Sequence, residues 1–499
     1  MSTLEQENIA LRQENFLLKE RIGQLERLIF SSKRERFVPA QIPGQGSLFG
    51  VEQLESEPQK KETKEVLVKK EVKPKKKKKR TTVRNQFPAH IERKETTINP
   101  EEDVEKLTKI GEDVTELLSY KPAEIYIKKI IRPRFVDSKD EDKGVFQANI
   151  PPRLIPKGMV DESLIAQIIQ EKIQFHTPLF RFAKKLKQLG IDFIKQNNLH
   201  NWLHRGAESF LPLYHLLQHE VLSSGYVQAD ESHIKVLTKN KPGSSHRGQI
   251  WVYYAPSKKA VFFNYEPKRD IPAAQKILVG FKGTLQSDGY SVYQNIAKNY
   301  HFQLIHCMAH ARRKFFDAKA NEPEITNYFL ENIQKLYKIE RKARDLEMTY
   351  EQRLALRQKE AVPILDKIYK ALLEKSGDRT ILPKSMLRKA IDYSLNLWKG
   401  LCAYAHNGEL EIDNNLVENT IRPIALGRKN YLFAGSHDAA QNLAVLYSIV
   451  ASCEKNNINT FKYLNWILQK VATSKITPEA VEWLPHRIDP QILENFTPS

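Results

Sequence analysis

The feature that most limits what this chain can fold into is the order of strand and helix signals between Tyr226 and Ala320. Alternating apolar and polar residues mark strands at Tyr226–Leu237, Gln249–Ala255 and Ala260–Tyr265, separated by the turn-forming runs Lys239–Ser245 and Pro256–Lys259. A helix pattern follows at Ile271–Val279, then a short strand at Thr284–Ser287, a helix from Tyr290, a strand at Phe302–Ile305 and a helix at His310–Ala320. Short turns make the first three strands an antiparallel meander, whereas a strand reached through a helix returns parallel to its neighbour. The expected fold class is therefore α/β, with a mixed, twisted sheet. A right-handed crossover lays the fourth strand beside the first.

Two acids sit at informative places in that scheme. Asp230 lies within the first strand, in Val-Gln-Ala-Asp-Glu-Ser, and Asp288 ends the fourth, in Leu-Gln-Ser-Asp-Gly-Tyr. Side by side, both can emerge at one end of the sheet. Two carboxylates that close repel unless a cation lies between them, and oxygen ligands select Mg²⁺ or Mn²⁺. A solvated acid or, for Asp288 before Gly289, a plain turn is the alternative for each alone. A third acid, Glu418, falls in Glu411-Ile-Asp-Asn-Asn-Leu-Val-Glu-Asn-Thr-Ile-Arg-Pro, which reads as a helix capped by Asp413 and stopped by Pro423. Asn414, Glu418 and Arg422 share one stripe at i,i+4 spacing. Taken alone, that stripe also suits a salt-bridged surface helix.

Charge points to the partner. With 79 Lys+Arg against 60 Asp+Glu, the formal charge is +19, so a polyanion is expected, with nucleic acid ahead of a membrane surface. The three cysteines, Cys307, Cys402 and Cys453, are too few and too scattered for a disulfide scaffold or a four-cysteine zinc site. The opening residues lack an apolar secretory core, and no apolar run is long enough to span a bilayer. His306, Cys307 and His310 crowd one helical turn, which suits helix-start packing better than a metal site short of a fourth ligand.

The N-terminal arm carries a heptad. Leu4, Leu11, Leu18 and Leu25 fall at d, and Asn8, Asn15, Ile22 and Ile29 at a. That seam favours a parallel two-stranded coil, with Glu7–Arg12, Glu14–Lys19 and Arg21–Glu26 pairing across it; a helix folded back on the body is the alternative. Pro, Gly, Gln and Ser dominate residues 38–59. The following basic stretch includes Lys75, Lys76, Lys77, Lys78, Lys79 and Arg80, a run that condenses on phosphates without reading sequence. Residues 86–150 read as a small β-rich module. Residues 160–222 read as helices, in which a turn at Gly190 gives an arrangement like a helix-turn-helix. Its second helix would offer Lys195, Gln196, Asn197 and Asn201 to a groove. A helical bundle without DNA contacts stays open at this point.

Four ordered motifs carry a specific resemblance: Ala229-Asp-Glu-Ser, Gln286-Ser-Asp-Gly-Tyr, His306-Cys-Met-Ala-His-Ala-Arg-Arg-Lys-Phe, and Asp413-Asn-Asn-Leu-Val-Glu-Asn-Thr-Ile-Arg-Pro with Leu426-Gly-Arg-Lys-Asn-Tyr-Leu-Phe-Ala-Gly-Ser. Together they resemble the insertion sequence 66 transposase family. The resemblance implies an RNase H-like catalytic core with a DDE triad, which maps by motif to Asp230, Asp288 and Glu418. It also implies two Mg²⁺ (or Mn²⁺) ions held by those three acids, and DNA contacts from Arg312, Arg313, Arg422, Arg428 and Lys429. The family's cysteine zinc ribbon has no counterpart, because Asn99–Thr108 and Val136–Gly144 lack cysteine, so no zinc is expected. Asn419 stands where the family usually has Arg.

The expected organisation is a coiled-coil dimerisation helix at 1–37, a basic linker at 38–85, the β-rich module at 86–150 and a helix-turn-helix-like DNA-binding region at 151–222. A first part of the catalytic core at 223–319, an all-α insertion at 320–401, a second core part at 402–475 and a tail at 476–499 follow. The expected function is that of a bacterial insertion-sequence transposase, binding terminal inverted repeats and catalysing Mg²⁺-dependent cleavage and strand transfer. Expected partners are double-stranded DNA, a second copy of the chain through the coiled coil, and accessory element-encoded proteins, in a cytoplasmic, nucleoid-associated setting without membrane. An RNase H-like nuclease or a DNA-binding regulator without strand transfer is the rival reading.

Overall fold

The computed structural model describes Phe87 and residues 91–100, 107–121, 124–137, 145–238 and 244–496. These lie in the second of two units, Phe87–Ser499, whereas the heptad residues Leu4–Ile29 and the run Lys75–Arg80 fall outside the described residues.

A four-stranded sheet comes first, from β1 (Arg93–Thr97), β2 (Leu107–Lys121), β3 (Glu124–Asp137) and β4 (Val145–Gln147). β2 pairs antiparallel along all of β3, while β1 (parallel) and β4 (antiparallel) share its other edge. β3 runs on through Pro133, opposite Glu112 and close to a register shift between Lys109 and Gly111, a setting in which a strand tolerates proline. The sheet is tied to the first helix. Leu118 N–H donates to Met159 O at 2.8 Å, and Tyr120 N–H donates to Ser163 Oγ at 2.8 Å.

Four helices follow: α1 (Glu162–Ile173), α2 (Leu179–Gln188), α3 (Gln196–Ser209) and α4 (Leu211–Leu222). Gly190 turns the chain between α2 and α3 at φ +80°, a value that favours glycine. Apolar periodicity in the sequence runs over Phe193–Leu203, but α3 begins only at Gln196, with Lys195 as its N-cap. Ile191 and Ile194 are buried in the preceding loop, so their apolar signal belonged to loop packing rather than a helix face.

The second sheet has five strands, β5 (Tyr226–Leu237), β6 (Ser245–Ala255), β7 (Ala260–Glu266), β8 (Thr284–Ser287) and β9 (Gln303–His306), in the order β7-β6-β5-β8-β9. The first three pair antiparallel, and β8 and β9 continue parallel beyond β5. Helices α5 (Ile271–Leu278) and α6 (Ser291–Tyr300) make the crossovers, and α7 (Met308–Ala318) leaves β9. α8 (Pro323–Asp345), α9 (Tyr350–Leu356), α10 (Val362–Gly377), α11 (Met386–Asn396) and α12 (Trp398–Cys402) gather with α7 around a second apolar core. The chain then returns to the sheet through α13 (Asn415–Tyr431), α14 (His437–Lys455), α15 (Thr460–Thr473) and α16 (Pro490–Glu494).

An exposed sheet edge invites wrong pairing. Here α14 closes the edge at β7, where Ser452 and Ser448 hydroxyls accept from Val261 N–H (3.1 Å) and Phe263 N–H (2.9 Å). Both serines are fully buried, so these bonds replace ladder bonds that no strand supplies. Among the described residues, no helix is long and apolar enough to cross a membrane.

One sequence expectation fails here. α13 does not stop at Pro423 but runs through it to Tyr431, with Asn414 rather than Asp413 as its N-cap. The bond that Pro423 cannot donate would have gone to the carbonyl of Asn419, an exposed residue whose carbonyl can be solvated instead. The buried positions Val417, Thr420, Ile421, Ile424 and Gly427 hold the helix to the sheet on both sides of the proline.

Candidate active site

Asp230 sits in mid-strand on β5, opposite Val252 of β6. β8 pairs with β5 only over Tyr226–Gln228, so from Ala229 onward that side of β5 is open to another element. α13 takes the place. Arg428 Nη1 donates to Ser232 Oγ at 2.9 Å and His233 O at 2.8 Å, and Ala434 bridges Val236. Asp288 lies immediately beyond β8. Its Oδ1 accepts Tyr290 N–H at 2.9 Å, its carbonyl accepts the Tyr393 hydroxyl, and Gly289 turns the chain at φ +95°. A Cβ on Gly289 would lie 2.7 Å from Leu397 and 3.1 Å from the Tyr393 hydroxyl, so the end of α11 and the residue after it pack tightly on this turn.

What delivers Glu418 to these strands is a buried amide network. Gln228 and Gln286 each stand two residues before an aspartate, and a strand's two-residue period puts them on one face with it. Gln228 Nε2 donates to Gln286 Oε1 at 2.9 Å and to Asp413 O at 3.0 Å, while its Oε1 accepts Val417 N–H at 3.2 Å. Gln286 Nε2 donates to Glu411 O at 2.8 Å, and the Tyr226 hydroxyl accepts Glu411 N–H at 3.1 Å. All three side chains are almost fully buried. The segment 411–417 is thus clamped to β5 and β8, and Glu418 is the next residue on α13. Neither glutamine was singled out from the sequence, although the repeated Gln-x-Asp was the available signal.

The acids crowd. Burial pushes the Asp230 carboxyl well above the ordinary carboxylate value, and the neighbouring charges of Glu231, Glu418 and Asp288 push it further up. Glu231, which sequence reasoning also passed over, is a fourth carboxylate, raised by burial despite Arg269. Arg269 donates to it through Nε at 2.8 Å and through Nη2, stacks on Tyr290 at 3.9 Å, and Tyr293 adds a hydroxyl at 3.3 Å. Among the described residues, Asp230 has no such cation.

At the start of α7, Cys307 Sγ, a ring nitrogen of His310 and a Glu418 oxygen lie within 4.8 Å of one another, a partner set that spacing along one helical turn does not reveal. His306 is not part of it; its ring packs against Gly400, and burial pushes it down to about 4. Cys307 accepts Asn414 N–H at 3.5 Å, and burial pushes its thiol up, so it is a protonated, packed group. Burial also lowers His310, so a neutral ring faces Glu418 at 3.7 Å.

The remaining sequence candidates divide by exposure. Lys195, Gln196, Asn197 and Asn201 are exposed on and just before α3, as are Arg312 and Arg313 on α7 and Arg422 and Lys429 on α13. Arg428 is half-buried and engaged with β5.

A chain that gathers acids from a strand, a strand end and a helix packed on one mixed sheet belongs among α/β proteins with an acidic centre. Residues 157–442 match the family described as Transposase IS66 family, and residues 17–96 match the one described as Transposase C of IS166 homeodomain. This chain belongs to the IS66 transposase family. In Sinorhizobium fredii (strain NBRC 101917 / NGR234) it is similar to Uncharacterized protein y4jD, 31% identical with 80% of each chain covered. Uncharacterized protein y4qI of the same strain is 30% identical over 82% of this chain and 78% of its own, and y4hP is 29% identical over 79% and 75%.

Proposed function

We propose that the chain is a DDE transposase that cleaves DNA at element ends and joins the freed ends to a target, with Asp230, Asp288 and Glu418 as its catalytic acids. The observation that carries this reading is the electrostatic crowding of Asp230 by Glu418 and Asp288, three acids drawn from three separate segments. An RNase H-like core is supported by the strand order β7-β6-β5-β8-β9, antiparallel for three strands and parallel for two.

The donor set fits hard divalent cations. It is all oxygen, and its members repel one another in the absence of positive charge. Asp230, Asp288 and Glu418 would hold two Mg²⁺ or Mn²⁺ ions, which when bound supply polarisation of the scissile phosphate and of the attacking water. The chain's own residues do the positioning. Gln228, Gln286 and Tyr226 fix the approach of α13, the Asp288 turn is held by Tyr393, and neutral His310 packs against Glu418 without cancelling its charge. Water adds to phosphorus and the 3′ oxygen departs, leaving a 3′ hydroxyl and a 5′ phosphate. That 3′ hydroxyl then displaces a 3′ oxygen of target DNA in a second in-line step, so no covalent enzyme intermediate forms. The exposed residues at the start of α3 would read base edges, and Arg312, Arg313, Arg422 and Lys429 would hold phosphates.

The test is Mg²⁺-dependent cleavage of duplexes bearing the element ends. Asp230→Asn is expected to lose cleavage by at least about 10³-fold, the scale of several kcal/mol of charge stabilisation, with duplex binding retained. Unchanged cleavage removes Asp230 from the site. Cleavage without any joined product favours the nuclease reading.

A further inference from the structure

A cavity of about 330 Å³ lies between α3 and the start of α14, lined among others by Lys172, His200, His204, Gly435 and Ser436. Lys172, near the end of α1, is only 8% exposed, yet it makes no hydrogen bond or ion pair among the described residues. Its ammonium lies 4.3 Å from the centre of the Tyr431 ring. Burying a lysine without an anion is costly, and burial here pushes it down to about 8, so it still carries its charge at neutral pH. The same charge helps depress His200 across the cavity.

The opposite wall is a helix N-terminus. Ser436 caps the 19-residue α14, and its hydroxyl accepts Ala439 N–H at 3.1 Å. The amides of His437 and Asp438, in the first turn, have no intrahelical carbonyl to reach, and the aligned peptide dipoles add positive potential. Asp438, exposed at the rim, is the acidic residue among those lining the cavity. His204 is engaged by Asn442 Nδ2 at 2.7 Å and Glu208 at 3.2 Å. A buried cation and a helix N-terminus lining one small cavity make a site for a tetrahedral oxyanion.

We propose that this cavity binds a backbone phosphate of the DNA on which the protein acts, with Lys172 and the N-terminus of α14 as its ligands. The proposal rests on the reading of the chain as a DNA-acting protein. It names one fixed phosphate contact of that DNA, away from the acids. Ala434, which lines the cavity, bridges Val236 on β5, and the stretch from Asp230 to Val236 spans about 20 Å at ~3.3 Å per residue. That is about six base pairs of axial rise at ~3.4 Å each. α3 contributes Asn201 and His200 to the same cavity, so the helix expected to enter a groove would be registered by a phosphate held at its flank.

The experiment compares the full chain with Lys172→Met, Gly435→Glu and Gly435→Gln. A Cβ at Gly435 meets nothing within 4 Å, so the two Gly435 variants are sterically tolerated and differ in one charge at the cavity wall. Binding of a random-sequence duplex is measured across a salt series, and melting temperature is measured against inorganic phosphate. Lys172→Met and Gly435→Glu are expected to weaken duplex binding about tenfold and to reduce the slope of log K against log salt by about one, with Gly435→Gln like the parent. Equal binding by Gly435→Glu and Gly435→Gln overturns the proposal even if Lys172→Met does not fold. Should the parent fail to bind duplex, the DNA reading fails separately, and the phosphate series decides the cavity. A phosphate-dependent rise in melting temperature that Gly435→Glu loses keeps it as an anion site, and no rise in the parent overturns it.

Discussion

Two clusters of buried charge, one of carboxylates paired with arginines and one of carboxylates set against each other, behave in opposite ways. Within the helical layer, Glu340 and Arg357 are fully buried, and each of the three guanidinium nitrogens of the arginine donates. Arg357 reaches Glu340 at 2.7 and 2.8 Å and the carbonyls of Tyr404 and Asn407 at 2.8 and 2.7 Å. Arg353 adds bonds to Glu340 at 2.9 Å and to Glu411 at 2.7 Å. Burial alone would raise Glu340, but Arg357 and Arg353 reverse it and hold the carboxyl below its ordinary value. On the sheet, Asp230 is raised, because burial and three like charges act in the same direction. Charge neutralised internally serves structure, and charge left in excess is available to something that arrives from outside. The two clusters meet at Glu411, whose side chain takes Arg353 and whose backbone is clamped by Gln286 and Tyr226, seven residues before Glu418.

This contrast breaks first at Glu340. Replacing it with Ala strands a buried arginine and is expected to cost about 3–5 kcal/mol, read as a large fall in the thermal or urea midpoint. A loss below ~1 kcal/mol would show the pair to be dispensable. Gln228→Leu is next. It leaves Val417 N–H and Asp413 O without their partner, an expected cost of about 1–3 kcal/mol. It should also lower cleavage more than the melting temperature explains, because α13 loses its clamp; cleavage that tracks folded fraction alone would assign Gln228 to packing.

A smaller effect carries the opposite sign. Asp230 binds its proton more tightly folded than unfolded, so its contribution to stability falls as pH rises from 3.8 through its raised folded value. Asp230→Asn should therefore raise the melting temperature at neutral pH without divalent metal, and Mg²⁺ should stabilise the parent more at high pH than at low. A destabilised Asn variant would contradict that sign. The smallest effect belongs to Glu220, where burial would raise the carboxyl but Arg487, His486 and Lys258 hold it down at about 2. Its contribution is complete above 4.5 and is lost as pH falls from 4.5 to about 2, so Glu220→Gln should flatten that part of an acid-unfolding curve followed by circular dichroism.

Much of the sheet was legible because its signals are local. The bounds of β5 and β8 follow from alternation and turn residues, and the place of β8 beside β5 follows from crossover handedness, whereas the register of Tyr226 with Thr284 does not. Pro423 misled because a proline rule is local whereas the packing of Val417 and Ile424 is not. Glu231 was passed over because adjacent strand residues face opposite sides, and the cation that satisfies it, Arg269, lies in a loop 38 positions away. The same reasoning hid the His310–Glu418 contact and the cavity behind Lys172, whose walls come from segments far apart in the chain.

The most direct measurement is Mg²⁺-dependent strand cleavage by Glu418→Gln, the acid carried in on α13 rather than on the sheet. Loss of cleavage to the same background as Asp230→Asn, with duplex binding intact and no further loss in the double variant, is the result expected of residues acting as one unit. Cleavage by Glu418→Gln at the parent rate would contradict it.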